Sequence, residues 1–158
     1  MSYLREAKID MSDKISILKL MIDDHSKIDK LIDELEKSTD EDYETMKKNF
    51  HRFEWELEKH IFTEEKAIFT DYDPENVREG YKMLPELTKQ HNYIINTLNN
   101  WRMDVRNKKM PRDVYSFKEF LRKHRLFEEQ NVYPKLDDAL DEDEKKHIVS
   151  KINEIISK

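Results

Sequence analysis

The chain has 158 residues, of which 41% are charged, with one glycine, four prolines and no cysteine. This length suits one domain of ordinary size. The near absence of glycine excludes the glycine-rich loops that bind phosphates and dinucleotides. The absence of cysteine excludes zinc ribbons, iron–sulfur clusters, thiol catalysis and disulfide scaffolds. A mostly helical protein remains.

The net charge of −6 arises from 35 acidic and 29 basic residues mixed along the chain. Because no basic face stands out, we expect neither a nucleic acid nor a membrane as a partner. No apolar run approaches the roughly 20 residues of a membrane span, and the opening residues lack the apolar region of a signal peptide. We therefore expect a cytoplasmic protein.

Apolar residues recur at alternating spacings of three and four, which predicts helices that pack along a common seam. The main predicted helices cover about residues 12–37, 42–69, 84–107 and 114–134. A short helical piece is predicted at about 75–82 and a last amphipathic helix at about 141–157. The short connections favour an all-α, up-and-down antiparallel four-helix bundle over about residues 12–136, with the last helix added to it. We expect one domain over residues 1–158.

Polar residues interrupt this seam at six positions, which are His25, His60, Glu64, His91, His124 and Glu128. The four histidines fall on four different predicted helices. Each glutamate follows a histidine by four residues, so the two side chains lie one above the other on the same helix face.

An internal repeat relates these positions to one another. Aligning His60 with His124 also aligns Glu64 with Glu128, and the neighbouring apolar residues match as well. The first two and the next two helices therefore resemble two copies of one helical hairpin.

Buried carboxylates need a partner, because an unmatched ionised carboxylate in a protein core costs several kcal/mol. A single buried histidine is most often a hydrogen-bonded core residue, but four of them beside two glutamates predict a bound cation. This donor set exceeds a closed zinc site and is too rich in nitrogen for calcium or magnesium. Two non-haem iron ions with a bridging oxo or hydroxo group fit it better, and they leave about two coordination positions open.

Other metal motifs fit less well. A ferritin-like site needs a Glu-x-x-His on each of two helices, and the chain has this spacing only at Glu144 and His147, in the tail helix. His51 precedes His60 by nine residues and therefore faces the opposite side of its helix. Asp24 is a candidate acceptor for a ligand imidazole, next to His25.

The chain resembles the hemerythrin-like family, also called the HHE cation-binding domain, in the order of these six residues and in the segments HIFTEEKAIF and HRLFEEQNVYP. The resemblance covers about residues 12–136. It implies a four-helix bundle around a non-haem di-iron centre. By this resemblance His25 and His60 bind one iron, His91 and His124 bind the other, and Glu64 and Glu128 bridge the two.

Two departures from the family pattern affect the expected function. Oxygen-carrying members have a fifth histidine one turn after the ligand on the third helix, where this chain has Ile95. Their last carboxylate is usually an aspartate five residues after its histidine, where this chain has Glu129. We favour Glu128 as the ligand because it mirrors Glu64 and keeps the seam spacing, and Glu129 is the alternative.

The sequence thus predicts a four-histidine di-iron protein that binds or senses a small diatomic ligand, O₂ or NO. One alternative is an enzyme that reduces NO, O₂ or peroxide, or oxidises ferrous iron. Another is an iron-responsive interaction module whose folding depends on metal loading. No surface for a protein partner can be identified from the sequence.

Overall fold

The structure is a computed structural model that describes residues 15–70 and 72–156. Within these residues all regular secondary structure is helical, as predicted. The α-helices are α1 (Ile17–Ser38), α2 (Tyr43–Thr63), α3 (Leu84–Arg106), α4 (Val114–Asn131), α5 (Tyr133–Ala139) and α6 (Glu142–Ile156). None of the described helices is both long enough and apolar enough to cross a membrane.

Side-chain caps and a proline fix where the helices begin. The side chains of Ser16, Asp42 and Asp113 accept hydrogen bonds from backbone N–H groups in the first turns of α1, α2 and α4. Pro85 lies in the first turn of α3, where its missing N–H leaves no hydrogen bond unmade. The predicted start of the first helix near residue 12 lies outside the described residues.

The chain between α2 and α3, and the end of α4, differ from the prediction. The expected helix at 75–82 is reduced to a 3₁₀ turn at Glu79–Tyr81. Pro134 was expected to end the fourth helix, but α4 ends at Asn131 and the proline lies in the first turn of α5. A proline is compatible with either position, and the burial of Leu136 in the core favours the new helix.

The helix predicted over residues 42–69 is continuous but changes its winding at Glu64. Residues Glu64–Ile68 form a π-helical turn, in which the Phe69 N–H donates to the Glu64 carbonyl at 2.8 Å. Such widened turns occur mostly as single turns within α-helices and often at functional sites. Here the turn carries one of the two seam glutamates.

Two apolar clusters form the core, separated by a polar layer. Helix α1 packs against α2 and α4, and α2 packs against α3. The Phe53 cluster includes Ile28, Phe53, Leu57, Ile94, Leu98 and Leu121. The Tyr133 cluster includes Met21, Ile68, Leu87, Val132, Tyr133 and Leu136. Four helical segments run from one cluster to the other: α1, α2 with its π-helical turn, α3, and α4 with the start of α5. The seam histidines and glutamates lie where each segment crosses between the clusters.

Helices α5 and α6 close the Tyr133 cluster. The apolar face of α6 is buried there through Ile148, Val149 and Ile152. The Asp137 carboxylate of α5 accepts from the backbone N–H groups of Ile17 and Leu18, at 2.8 and 3.1 Å. Helix α5 therefore holds the start of α1, and α1 carries His25, the first seam histidine.

Gly80 is required by close packing in the Tyr133 cluster. A Cβ atom at this position would lie 2.8 Å from the Leu136 Cα, and nearer still to the Leu136 side chain. We expect Gly80→Ala to lower the free energy of unfolding by about 1–3 kcal/mol, because backbone of α5 must move to admit it. Urea unfolding measures the change. An unchanged free energy would show that the contact is not tight. As a second check, Gly80→Ala should cost less stability in a Leu136→Ala background, where the nearest side-chain atoms are removed.

Candidate metal centre

The structure brings together all six residues that the sequence placed on the seam. They come from α1, α2 with its π-helical turn, α3 and α4, and none is more than 5% exposed. Glu64 and Glu128 are completely buried. Six ionisable side chains thus share the polar layer between the two apolar clusters.

Each glutamate lies between two histidines from different helices. The Glu64 Oε1 is 3.0 Å from the His60 Nε2 and 3.3 Å from the His91 Nε2. The Glu128 Oε1 is 3.0 Å from the His25 Nε2 and 3.3 Å from the His124 Nε2. Each carboxylate therefore connects one half of the internal repeat with the other.

The donor atoms form two overlapping groups, each compact enough to hold a cation. One group contains Glu64, His91, His124 and Glu128, and the other contains His25, His60 and Glu128. Within each group one ligand atom per residue lies within 4.8 Å of the others. The histidine pairs are the same as those that the family resemblance implied.

Several of these inner atoms have no hydrogen-bond partner in the described part of the chain. They are the Nε2 atoms of His60, His91 and His124, the Glu64 Oε1 and the Glu128 Oε2. Buried polar groups in proteins are almost always hydrogen-bonded, because an unsatisfied one costs about 1–3 kcal/mol. Nitrogen and carboxylate lone pairs that converge without partners are suited to a metal ion.

The outer nitrogen of every histidine, by contrast, lies against an acceptor. The His25 Nδ1 is 2.7 Å from Glu129, and the His91 Nδ1 is 3.2 Å from Glu65. The other two contacts are shorter: the His60 Nδ1 is 2.5 Å from Asp24, and the His124 Nδ1 is 2.6 Å from Gln90. An acceptor at Nδ1 places the proton there and directs the Nε2 lone pair inward, which is the usual arrangement of metal-binding histidines.

The sequence analysis missed most of these acceptors, although the internal repeat contains a signal for them. Glu65 and Glu129 each follow a seam glutamate, and Asp24 and Gln90 each precede a seam histidine. Asp24 was considered as an acceptor near its neighbour His25, but it binds the histidine of α2. Residues adjacent in sequence point in different directions around a helix, so the partner lies on the next helix.

Tyr133 is a further buried polar residue beside the cluster. Its hydroxyl donates to the Glu64 Oε2, and its ring centroid lies 6.1 Å from that of His25. The Glu64 carboxylate therefore has one oxygen held by the phenol and the other between two histidines. The aligned position in the first half of the repeat is Phe69, which has no hydroxyl group.

The other positions considered in the sequence analysis do not supply inner donor atoms. The His51 side chain is 53% exposed and lies 3.8 Å from Glu54. His147 is exposed on α6, and Ile95 is 37% exposed on α3. Glu129, the alternative to Glu128, contacts the outer nitrogen of His25 rather than the inner atoms.

Charge balance in the metal-free cluster depends on protons. Burial by itself lowers the pKa of His91, but the carboxylates of Glu64, Glu128 and Glu65 raise it to about 9. Burial opposes a raised pKa at His60 too, and nearby carboxylates again prevail. The pKa of Glu128 is lowered despite its burial, since histidines surround it. Protons on His60 and His91 thus help to neutralise the carboxylates where a cation would.

This balance predicts that the metal-free protein loses stability as the pH rises. The pKa of His91 is raised from the usual value near 6.5, so its contribution is complete below about pH 6.5 and is lost as the pH passes about 9. The loss is roughly 3 kcal/mol from this group. Urea unfolding in a chelator measures it, and His91→Gln should flatten the profile whereas His51→Gln should not. A stability that rises over this range would contradict the charge balance.

Comparison with known proteins agrees with this geometry. The family model described as the hemerythrin HHE cation binding domain matches residues 16–136, well over half of the chain. Neither the curated proteins nor the solved structures contain a significant match. The matched range contains all six residues of the cluster. The chain therefore belongs to the hemerythrin HHE cation-binding family.

Proposed function

We propose that this protein holds two iron ions in the six-residue cluster and there binds or senses a small diatomic ligand, O₂ or NO. The observation that carries the proposal is the convergence of buried, unpartnered Nε2 and carboxylate atoms, with every Nδ1 held from outside. Membership of a cation-binding family supports it.

The donor geometry supports a pair of ions rather than one. His25 and His60 would hold one iron, and His91 and His124 the other. Glu64 and Glu128, each in contact with a histidine of both pairs, would bridge them, and an oxo or hydroxo group would complete the bridge. Reduced iron held by these residues would supply electrons and open coordination positions for a small ligand. We infer a four-histidine variant, since Ile95 provides no fifth imidazole.

The protein's own residues would orient the ligands and keep bulk water away. Asp24, Glu65, Gln90 and Glu129 fix the imidazole rings, and the two apolar clusters enclose the layer on either side. Access is therefore limited to gaps between helices.

One such gap is a cavity of about 20 Å³ beside the cluster. It borders three of the histidines and three aliphatic side chains, which are His25, His60, His124, Ile28, Leu57 and Leu121. Asp29 and Arg125 also line it and form an ion pair with each other. This volume is enough for about one water-sized molecule. It favours a diatomic ligand over an organic substrate.

We also propose that the four main helices form an up-and-down antiparallel bundle within one domain over residues 1–158. Support comes from the order of the clusters along the chain. Helices α1 and α3 pass from the Tyr133 cluster to the Phe53 cluster, whereas α2 with its π-helical turn and α4 with the start of α5 pass in the opposite order.

A second candidate function is reduction of NO, O₂ or peroxide. Its support is Tyr133, a buried phenol in contact with Glu64, because a phenol beside an iron pair is a source of protons. Stopped-flow mixing of the reduced protein with O₂, alone and with an excess of ascorbate as the electron donor for repeated turnover, separates the candidates. A long-lived adduct supports binding, continued consumption supports an enzyme, and rapid oxidation without turnover supports sensing.

Iron content tests the proposed ligands. Purified aerobically, the protein should contain close to two irons and show the charge-transfer absorption of an oxo-bridged pair. We expect Glu128→Gln to remove most of the iron, because it deletes a bridging charge, and Glu129→Gln, which changes only the outer partner of His25, to remove clearly less. Likewise His60→Ala should lose iron and His51→Ala should not. Equal losses within either pair, or one zinc and no iron, would contradict the assignment.

The cavity gives a separate prediction about ligand entry. Leu121→Phe should fill it and slow the association of NO with the reduced protein by about tenfold or more, a barrier increase near 1.4 kcal/mol. Stopped-flow absorption measures the rate. Leu98→Phe makes the same change in the same apolar cluster away from the cavity and should leave the rate nearly unchanged. If both variants or neither slow the association, ligands enter elsewhere.

A further inference from the structure

The two pairs of histidines differ in the charge that supports them from outside. The His25 and His60 pair has two carboxylate partners, Glu129 at 2.7 Å and Asp24 at 2.5 Å. The Asp24 residue is only 3% exposed and the Glu129 side chain 20% exposed. Two well-shielded negative charges therefore lie behind this pair.

The His91 and His124 pair has weaker support. The carboxylate of Glu65 lies farther from its histidine, at 3.2 Å, and its side chain is 50% exposed. The partner of His124 is a neutral amide, because Gln90 stands where the aligned half of the repeat has Asp24. The Gln90 Nε2 donates to the Glu86 Oε1 at 3.2 Å, which turns the amide oxygen toward the histidine.

The inner contacts of the two pairs differ in the same direction, but only slightly. Each glutamate oxygen lies 3.0 Å from a nitrogen of the His25 and His60 pair and 3.3 Å from a nitrogen of the His91 and His124 pair. Because both pairs contact the same two glutamate oxygens, the difference in charge between the two halves of the site comes from the outer partners, above all from Asp24 and Gln90.

Outer partners change how strongly an imidazole binds a metal. A carboxylate that accepts the Nδ1 proton makes the Nε2 lone pair a better donor, and replacing such a partner typically costs 10–100-fold in metal affinity. Its negative charge also attracts the cation directly, and burial reduces solvent screening of that attraction. A neutral amide holds the ring in place without either electrostatic gain.

We propose that Asp24 and Gln90 are positioning residues that make the two metal subsites unequal, so that the subsite of His25 and His60 binds a divalent cation first and more tightly. This inference rests on the proposed function, that the six residues hold two metal ions. It adds an order of loading, set by one aspartate and one glutamine at equivalent places in the repeat.

Titration of the metal-free full chain with Co²⁺, followed by visible absorption, tests the proposal. The wild-type protein should bind two ions in separable steps. Asp24→Asn should weaken the first step by about 10–100-fold, and Gln90→Glu should strengthen the second step. The matched controls Asp23→Asn and Asn96→Asp make the same changes of charge at exposed positions of α1 and α3. They should leave both steps nearly unchanged.

Variants that lack one subsite assign each effect to its histidine. With His124→Ala, the remaining subsite should respond to Asp24→Asn but not to Gln90→Glu. With His60→Ala, the remaining subsite should respond to Gln90→Glu but not to Asp24→Asn. An Asp24→Asn effect that persists without His60 would show a general structural or charge effect and would overturn the proposal.

The titration also separates this inference from the proposed function. Two bound ions of equal affinity, or tighter binding at His91 and His124, would overturn the order of loading and leave the two-metal site standing. Failure of the wild-type protein to bind two ions would instead overturn the proposed function. Because the two substitutions act in opposite directions, loss of fold in one of them leaves the other as a complete test.

Discussion

The structure depends on the burial of two carboxylates among four imidazoles. Glu64 and Glu128 have no exposed surface, and ionised carboxylates are almost never buried without a partner. The fold meets this constraint by confining charge to one layer with apolar packing on either side. Each carboxylate lies between histidines of two helices, so neutralising the charge also connects α2 with α3 and α4 with α1. A cation in this layer would stabilise the fold at the same time as it creates a reactive centre.

Duplication explains why the layer is regular and also where it departs from symmetry. Both halves supply a histidine, a His-x-x-x-Glu pair and an acidic residue after the glutamate. Two differences between the halves involve residues in contact with the cluster, Asp24 and Gln90 in one case and Tyr133 in the other. One half has Asp24 where the other has Gln90, and one half has Phe69 where the other has Tyr133. Both differences change charge or hydrogen bonding without changing the inner donors, which is how one ligand set can serve two unlike metal subsites.

Much of this site could be predicted from the sequence, because seam spacing determines which side chains a helix turns inward. The four histidines and Glu64 follow that rule, and Glu128 was preferred over Glu129 on the same ground. The spacing could not reveal that Asp24 binds His60, since that contact depends on how two helices are aligned along each other. Nor could it show the π-helical turn at Glu64, which becomes apparent only from the hydrogen bond that spans it. Pro134 misled because proline fits both the end and the start of a helix.

Anomalous diffraction at the iron edge from crystals of the iron-loaded protein tests the central claim most directly. We expect two peaks in the polar layer, about 3.5–4 Å apart or slightly closer, one beside His25 and His60 and the other beside His91 and His124. Glu64 and Glu128 should each approach both peaks. A single peak, or iron bound only at exposed carboxylates, would contradict the account of paired cations in the helical core.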